Sequence, residues 1–202
     1  MRLESDHSVH LLKGFIILTF IALFIEFFTS LIYIIDTELY RKIEMLDVIG
    51  IWGTFVFYFI QGILFLIWLY KVHKDLNAMD SYYPVSPWGS FARVIVPVYN
   101  LYGLWNVYAT MYRHFKQYDR TEHIGQKLYV YLPIFYIGFW GTNIFNNSIS
   151  GDFGVPLTIS FLLDMGMMVI YLLMVKLITR ALHLLRDDYD ETYGNPQQEQ
   201  NA

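Results

Sequence analysis

The chain has no cysteine, only six prolines in 202 residues, and just 16% charged residues. The missing cysteine excludes disulfides, thiolate nucleophiles and thiolate-bound metals. The scarcity of charge says more, because soluble domains carry about 25% charged residues. Fourteen basic residues stand against eighteen acidic ones, and no long basic run occurs. Nucleic-acid binding needs such a basic footprint, so nucleic acid is not an expected partner. Zinc-protease, nucleophile-elbow, dinucleotide and phosphate-loop motifs are all missing as well. The chain therefore reads as non-enzymatic, with no catalytic residue, no metal-ligand set and no cofactor implied.

What the sequence does have is apolar surface. Hydrophobic residues make up 55% of it and aromatics 19%, and the mean hydropathy is +0.37. The apolar residues fall in five blocks. Phe15–Ile35 has 21 residues and one charge, Glu26; Val48–Tyr70 has 23 and none; Val94–Tyr112 has 19 and none. Leu128–Phe145 has 18 and none; Val155–Val175 has 21 and one charge, Asp164. About 20 such residues cross the hydrocarbon core as a helix. The first block is longer than a signal-peptide core and no small-residue cleavage site follows, so it reads as a retained helix.

The third block is the ambiguous one. It carries Pro97, Asn100, Gly103 and Asn106. Proline lacks the N–H that a helix interior needs, and glycine weakens a helix further. Charge placement arbitrates, because lysine and arginine concentrate on the cytoplasmic side. If all five blocks cross, nine basic residues lie on one side and five on the other. If the third block enters and leaves on the same side, 12 of the 14 share a face, and only Arg41 and Lys42 lie opposite. The expected fold is thus an all-α integral membrane protein. It has a four-helix transmembrane bundle, with spans of about 15–35, 48–70, 128–148 and 154–178 in a domain covering 1–186. A re-entrant element occupies 88–112, the alternative being a fifth, Pro-broken span. Both termini are then cytoplasmic.

Between the blocks, 71–80 reads as an extension of the second helix, 81–90 as a turn, 111–127 as a basic loop or surface helix, and 146–154 as a short outer loop. The acidic tail, 187–202, reads as disordered. The seventeen tyrosines and five tryptophans read as interface belts and packing. None of the six histidines lies within a span. His7 and His10 stand three apart without a carboxylate–histidine pattern, and surface positions are expected.

The stretches WLYKVHKDL (Trp68–Leu76), SPWGS (Ser86–Ser90) and VPVYNL (Val96–Leu101) resemble the bacterial membrane family known as domain of unknown function 4328. Members of that family show an aromatic–Leu–aromatic–basic run, a Ser-Pro-Gly-Trp-like turn and a Pro-x-x-Asn-Leu core. FWGTNIF (Phe139–Phe145) is similar to the tryptophan-containing helix that follows them. This chain differs in carrying Asp75 where Asn is frequent, Leu104 where a second proline is frequent, and Pro-Trp-Gly in the turn. The resemblance implies a multi-pass protein of the bacterial inner membrane and no particular activity.

Ionisable residues inside spans are costly and mark candidate sites. Glu26 lies ten residues before Asp36, and Asp164 lies ten after Gly154. At about 1.5 Å per residue both sit roughly 15 Å below the outer face. Two carboxylates at one depth do not both ionise cheaply, so the pair is a candidate proton or cation site, or else a polar glue between helices. Gln61 joins it somewhat deeper. Arg93, Pro97 and Asn100 form a second candidate group, a structural bridge in the broken segment or a pocket for a small molecule or lipid headgroup. Two functions follow. The first is a scaffold or accessory subunit that binds a membrane-protein partner or a second copy of itself within the lipid bilayer. The alternative is a small transporter or channel module with proton or cation coupling.

Overall fold

In a computed structural model of the chain, residues 1–148 and 154–193 are described, with the side chains of 97–101 outside that description. The described residues form six helices and no strand. They are α1 (Ser5–Ile35), α2 (Thr37–Met79), α3 (Pro87–Ile95), α4 (Pro97–Phe115), α5 (Glu122–Ser148) and α6 (Val155–Tyr193). Four of them, α1, α2, α5 and α6, are long and apolar enough to cross a membrane.

The chain divides into two compact units. The first comprises residues 1–10, 65–133 and the chain from 174 onward; the second comprises 11–64 and 134–173. In the second unit many large apolar side chains point outward. Ile17, Phe24 and Phe28 of α1, Trp52, Phe55 and Phe59 of α2, Ile137 of α5 and Leu162 of α6 are all exposed. Within its most apolar stretch α2 buries only 11% of its residues. The inward faces combine buried apolar side chains such as Leu12, Ile16 and Leu23 with small and polar ones. A Cβ on Gly53 would meet that of Ala22 at 3.7 Å, and the Ser30 and Thr158 hydroxyls share a 2.6 Å hydrogen bond. Small residues and interhelical hydroxyl bonds bring helices together where apolar burial supplies no drive.

The first unit packs in the ordinary way. Trp68, Leu76, Met111 and Phe115 are completely buried. The start of α1 is held by a side chain from another helix. Buried Asp75 accepts hydrogen bonds from the backbone N–H of Glu4 (2.9 Å) and Ser5 (3.0 Å). Those amides have no partner within α1, and a carboxylate there also opposes the positive end of the helix dipole. Lys74 adds a 2.7 Å ion pair with Glu4. Asp75 is therefore a helix cap in this chain.

Several expectations are corrected. Residues 88–112, expected to be broken, fall in two helices, with the backbone extended at Val96 (φ −72°, ψ 119°) between α3 and α4. Pro97 opens α4, where its missing N–H costs nothing. The turn expected over 81–90 ends at Ser86, whose hydroxyl accepts from Gly89 N–H and caps α3. The segment 111–127, expected as a loop or surface helix, is helical except for the turn at residues 116–121. α5 continues through Ser148 and so takes in the first three residues of the segment expected as a loop, and residues 149–153 lie outside the described set. α2 begins at Thr37, immediately after Asp36, whose carboxylate caps it by accepting from Glu38 and Leu39 N–H.

The acidic tail is helical as far as Tyr193. Charge pairing holds it. Arg120 reaches Glu191 (2.5 Å) and Asp188 (3.5 Å), and the terminal amine of Met1 reaches Asp190 (2.8 Å). Residues 194–202 lie outside the described set.

α3 and α4 pack directly on each other. A Cβ on buried Gly103 would collide with the backbone carbonyl of Arg93, so only glycine permits this approach. Gly103→Val should therefore cost several kcal/mol of stability through forced displacement, whereas Gly141→Val, which meets nothing within 4 Å, should be tolerated. Thermal unfolding of both variants in mild detergent checks this.

Candidate functional site

The second unit assembles its polar residues between α1, α2, α5 and α6. On α2 the spacing Asp47, Gly50, Thr54, Tyr58, Gln61 follows one helical face. On α1, Thr19, Glu26 and Thr29 do the same, and all three are buried. The two faces meet. Thr29 Oγ1 donates to Asp47 Oδ1 (2.6 Å), and Thr19 Oγ1 donates to Gln61 Oε1 (2.9 Å). Gly50 makes room for Glu26, since a Cβ there would stand 2.9 Å from Glu26 Cγ.

The carboxyl groups differ sharply in their surroundings. Asp47 accepts from two hydroxyls, Thr29 and Tyr40 (2.9 Å). Half-buried Asp164 accepts from Asn146 Nδ2 (3.1 Å), whose Oδ1 in turn takes the Ser160 hydroxyl. Glu26 is only 4% exposed, and its Oε1 has no hydrogen-bond partner. The Thr54 hydroxyl lies beside that carboxyl without closing a well-formed bond. Asp47 and Asp164 are both within electrostatic range of Glu26, and Tyr58 is within range of Glu26 and Asp164. Glu26 and Asp164 thus stand in one cluster. Gln61 directs its bonds to Thr19 and, more weakly, to the Met168 sulfur (3.7 Å).

No family model, curated protein or solved structure matches this chain. The chemistry of the site accordingly rests on the chain's own residues. Among the described residues, no group of three histidine or acidic side chains is arranged to hold a metal ion.

Asp47 is the member of the cluster that the sequence reading passed over. It sits one residue outside the uncharged block 48–70, so a search for charges within spans misses it. The readable signal is its place at the head of the α2 polar stripe.

The second group of expected residues lies in the first unit. Arg93 Nη1 donates to Asn106 Oδ1 (2.9 Å), bridging α3 and α4. Pro97 and Asn100 fall in the first turn of α4, and their side chains lie outside the described set. Arg93 is also within electrostatic range of Tyr83, whose ring packs on His73 and, edge-on, on His114. The expectation of surface histidines fits His7, His10 and His123 but not His73 or His114, which are buried. Their signal in the sequence is weak, because the aromatic partners come from the intervening turn.

Two predictions follow from these contacts. Gly50→Val should displace Glu26 and cost about 1–3 kcal/mol by overpacking, while Gly62→Val, with nothing within 4 Å, should be near neutral in thermal melts. Burial also holds His114 below its ordinary titration range, partly opposed by Asp80 at 3.7 Å. Its stabilising contribution is then complete above pH 6.5, the ordinary value, and is lost as pH falls through the lower folded value. His114→Phe should flatten the acid side of a melting-temperature profile.

Proposed function

We propose that the chain is a multi-pass membrane protein that works by binding rather than by catalysis, as a scaffold or accessory subunit of a membrane complex. The observation carrying this reading is the outward-facing apolar surface of the second unit. Side chains such as Phe55 and Phe59, each 66% exposed, would cost about 25 cal/mol per Å² if left in water, and hydrocarbon removes that cost. Four helices then cross the bilayer. The terminal amine of Met1 pairs with Asp190 near the end of α6, as an even number of crossings requires. The positive-inside rule puts that end in the cytoplasm of a bacterial inner membrane, a placement in keeping with the family resemblance.

The α3–α4 hairpin is the feature that would engage a partner or the cytoplasmic leaflet. Its Trp88, Ile95 and Tyr102 are exposed, as is Tyr82 just before it. Aromatic side chains of this kind suit the headgroup layer, and a re-entrant hairpin would seat them there. A second reading, a transporter or channel module coupled to protons or cations, is favoured by the buried carboxyl of Glu26.

The chain lacks cysteine, so single introduced cysteines report topology cleanly. In intact cells an impermeant maleimide should label a cysteine at Glu38 but not one at Gln117. Tyr102→Cys should stay unlabelled in membranes opened from either side and react after denaturation. Labelling of Gln117→Cys from outside overturns the four-span topology. Rapid labelling of Tyr102→Cys in membranes overturns the re-entrant hairpin. Purification in mild detergent that yields neither a stoichiometric partner nor a homo-oligomer counts against the scaffold role.

A further inference from the structure

The carboxyl groups of the second unit fall into two kinds. Asp47 and Asp164 are held as acceptors by fixed donors: the Thr29 and Tyr40 hydroxyls for the first, the Asn146 amide for the second. Glu26 has no such donor on Oε1, is more than nine-tenths buried, and has two other acids within electrostatic range. An unpaired buried carboxylate is among the most expensive groups a fold can hold. Beside it lies a second buried and unpaired atom, the Thr54 hydroxyl oxygen. The hydroxyl can bond either form of Glu26, but it carries no charge to offset a buried carboxylate, whereas an added proton removes that charge.

We infer that Glu26 is a proton-binding site, with the hydrogen-bonded acids Asp47 and Asp164 as its neighbours and Gly50 as the gap that admits its side chain. The groups facing it are Asp47, Thr54 and Tyr58 from α2 and Asp164 from α6, with Asn146 of α5 behind Asp164. Among the described residues no basic side chain is within electrostatic range of Glu26, so a proton is the small cation that neutralises it without a bulky coordination shell. This goes beyond the scaffold reading and does not depend on it. It gives the second reading its ion.

Dicyclohexylcarbodiimide, which enters bilayers and adds to protonated carboxyls, tests the site on the full chain in nanodiscs at neutral pH. Mass spectrometry should place the adduct on Glu26 and not on Asp47. Glu26→Gln should abolish it, and Asp47→Asn should reduce it severalfold. An infrared carbonyl band of a protonated acid, shifted in heavy water and missing from Glu26→Gln, should be present in the unmodified protein whether or not the reagent gains access. Absence of that band, preferential labelling of Asp47, or protection of Glu26 by sodium ions overturns the inference. Maleimide accessibility at Gln117→Cys, measured on the same samples, separates a failed site from a failed topology.

Discussion

A backbone amide inside hydrocarbon has no water to bond with, so the chain must satisfy it internally. On the proposed membrane reading that constraint bears on the two units differently. In the second unit, every described residue is helical except Asp36 and Gly154, which stand where helices begin. The irregular backbone is concentrated in the first unit: the turn at 80–86, the break at Val96 and the turn at 116–121. There the freed groups find partners. Asn77 donates to the carbonyls of His73 and Val85, the Thr121 hydroxyl donates to Phe115 O, and Ser86 caps α3.

The same constraint sets the terms for polar side chains. The second unit uses hydroxyls and amides to tie helix to helix, and these bonds are individually modest. They nevertheless orient the acids. Thr29 and Tyr40 fix Asp47, Asn146 fixes Asp164, and Gly50 lets Glu26 lie against α2. Three acids on three helices thus stand in different hydrogen-bond surroundings. In the first unit the charged pairs are peripheral, such as Arg120 with Glu191 and Lys74 with Glu4. Exposed pairs of this kind contribute little stability individually. Their effect is to extend helical structure to Tyr193 and to hold the N-terminal segment beside α2.

Much of the architecture was legible in the chain's composition. Long apolar blocks announce long helices because hydrocarbon-length helices need them, and four of the five blocks became helices of that kind. Pro97 and Gly103 flagged the fifth as different, and the break at Val96 lies one residue before that proline. The pairing of Glu26 with Asp164 was suggested by counting residues from the helix ends. Asp47, by contrast, was hidden by the boundary of the uncharged block, and the burial of His73 and His114 by the turn that folds Tyr83 over them.

By itself the sequence determined the number and apolarity of the long helices, the position of the broken segment and the lopsided distribution of basic residues. Each of these follows from local periodicity, proline chemistry or charge counting. Only the tertiary structure decided that Asp75 caps α1, that Gly103 touches the Arg93 carbonyl, and that Glu26 is left without the donors its neighbours possess. Those facts depend on which faces meet across distant parts of the chain. Helix faces are selected by the packing of small residues and the exchange of hydrogen bonds, neither of which is written in the order of residues along any one helix.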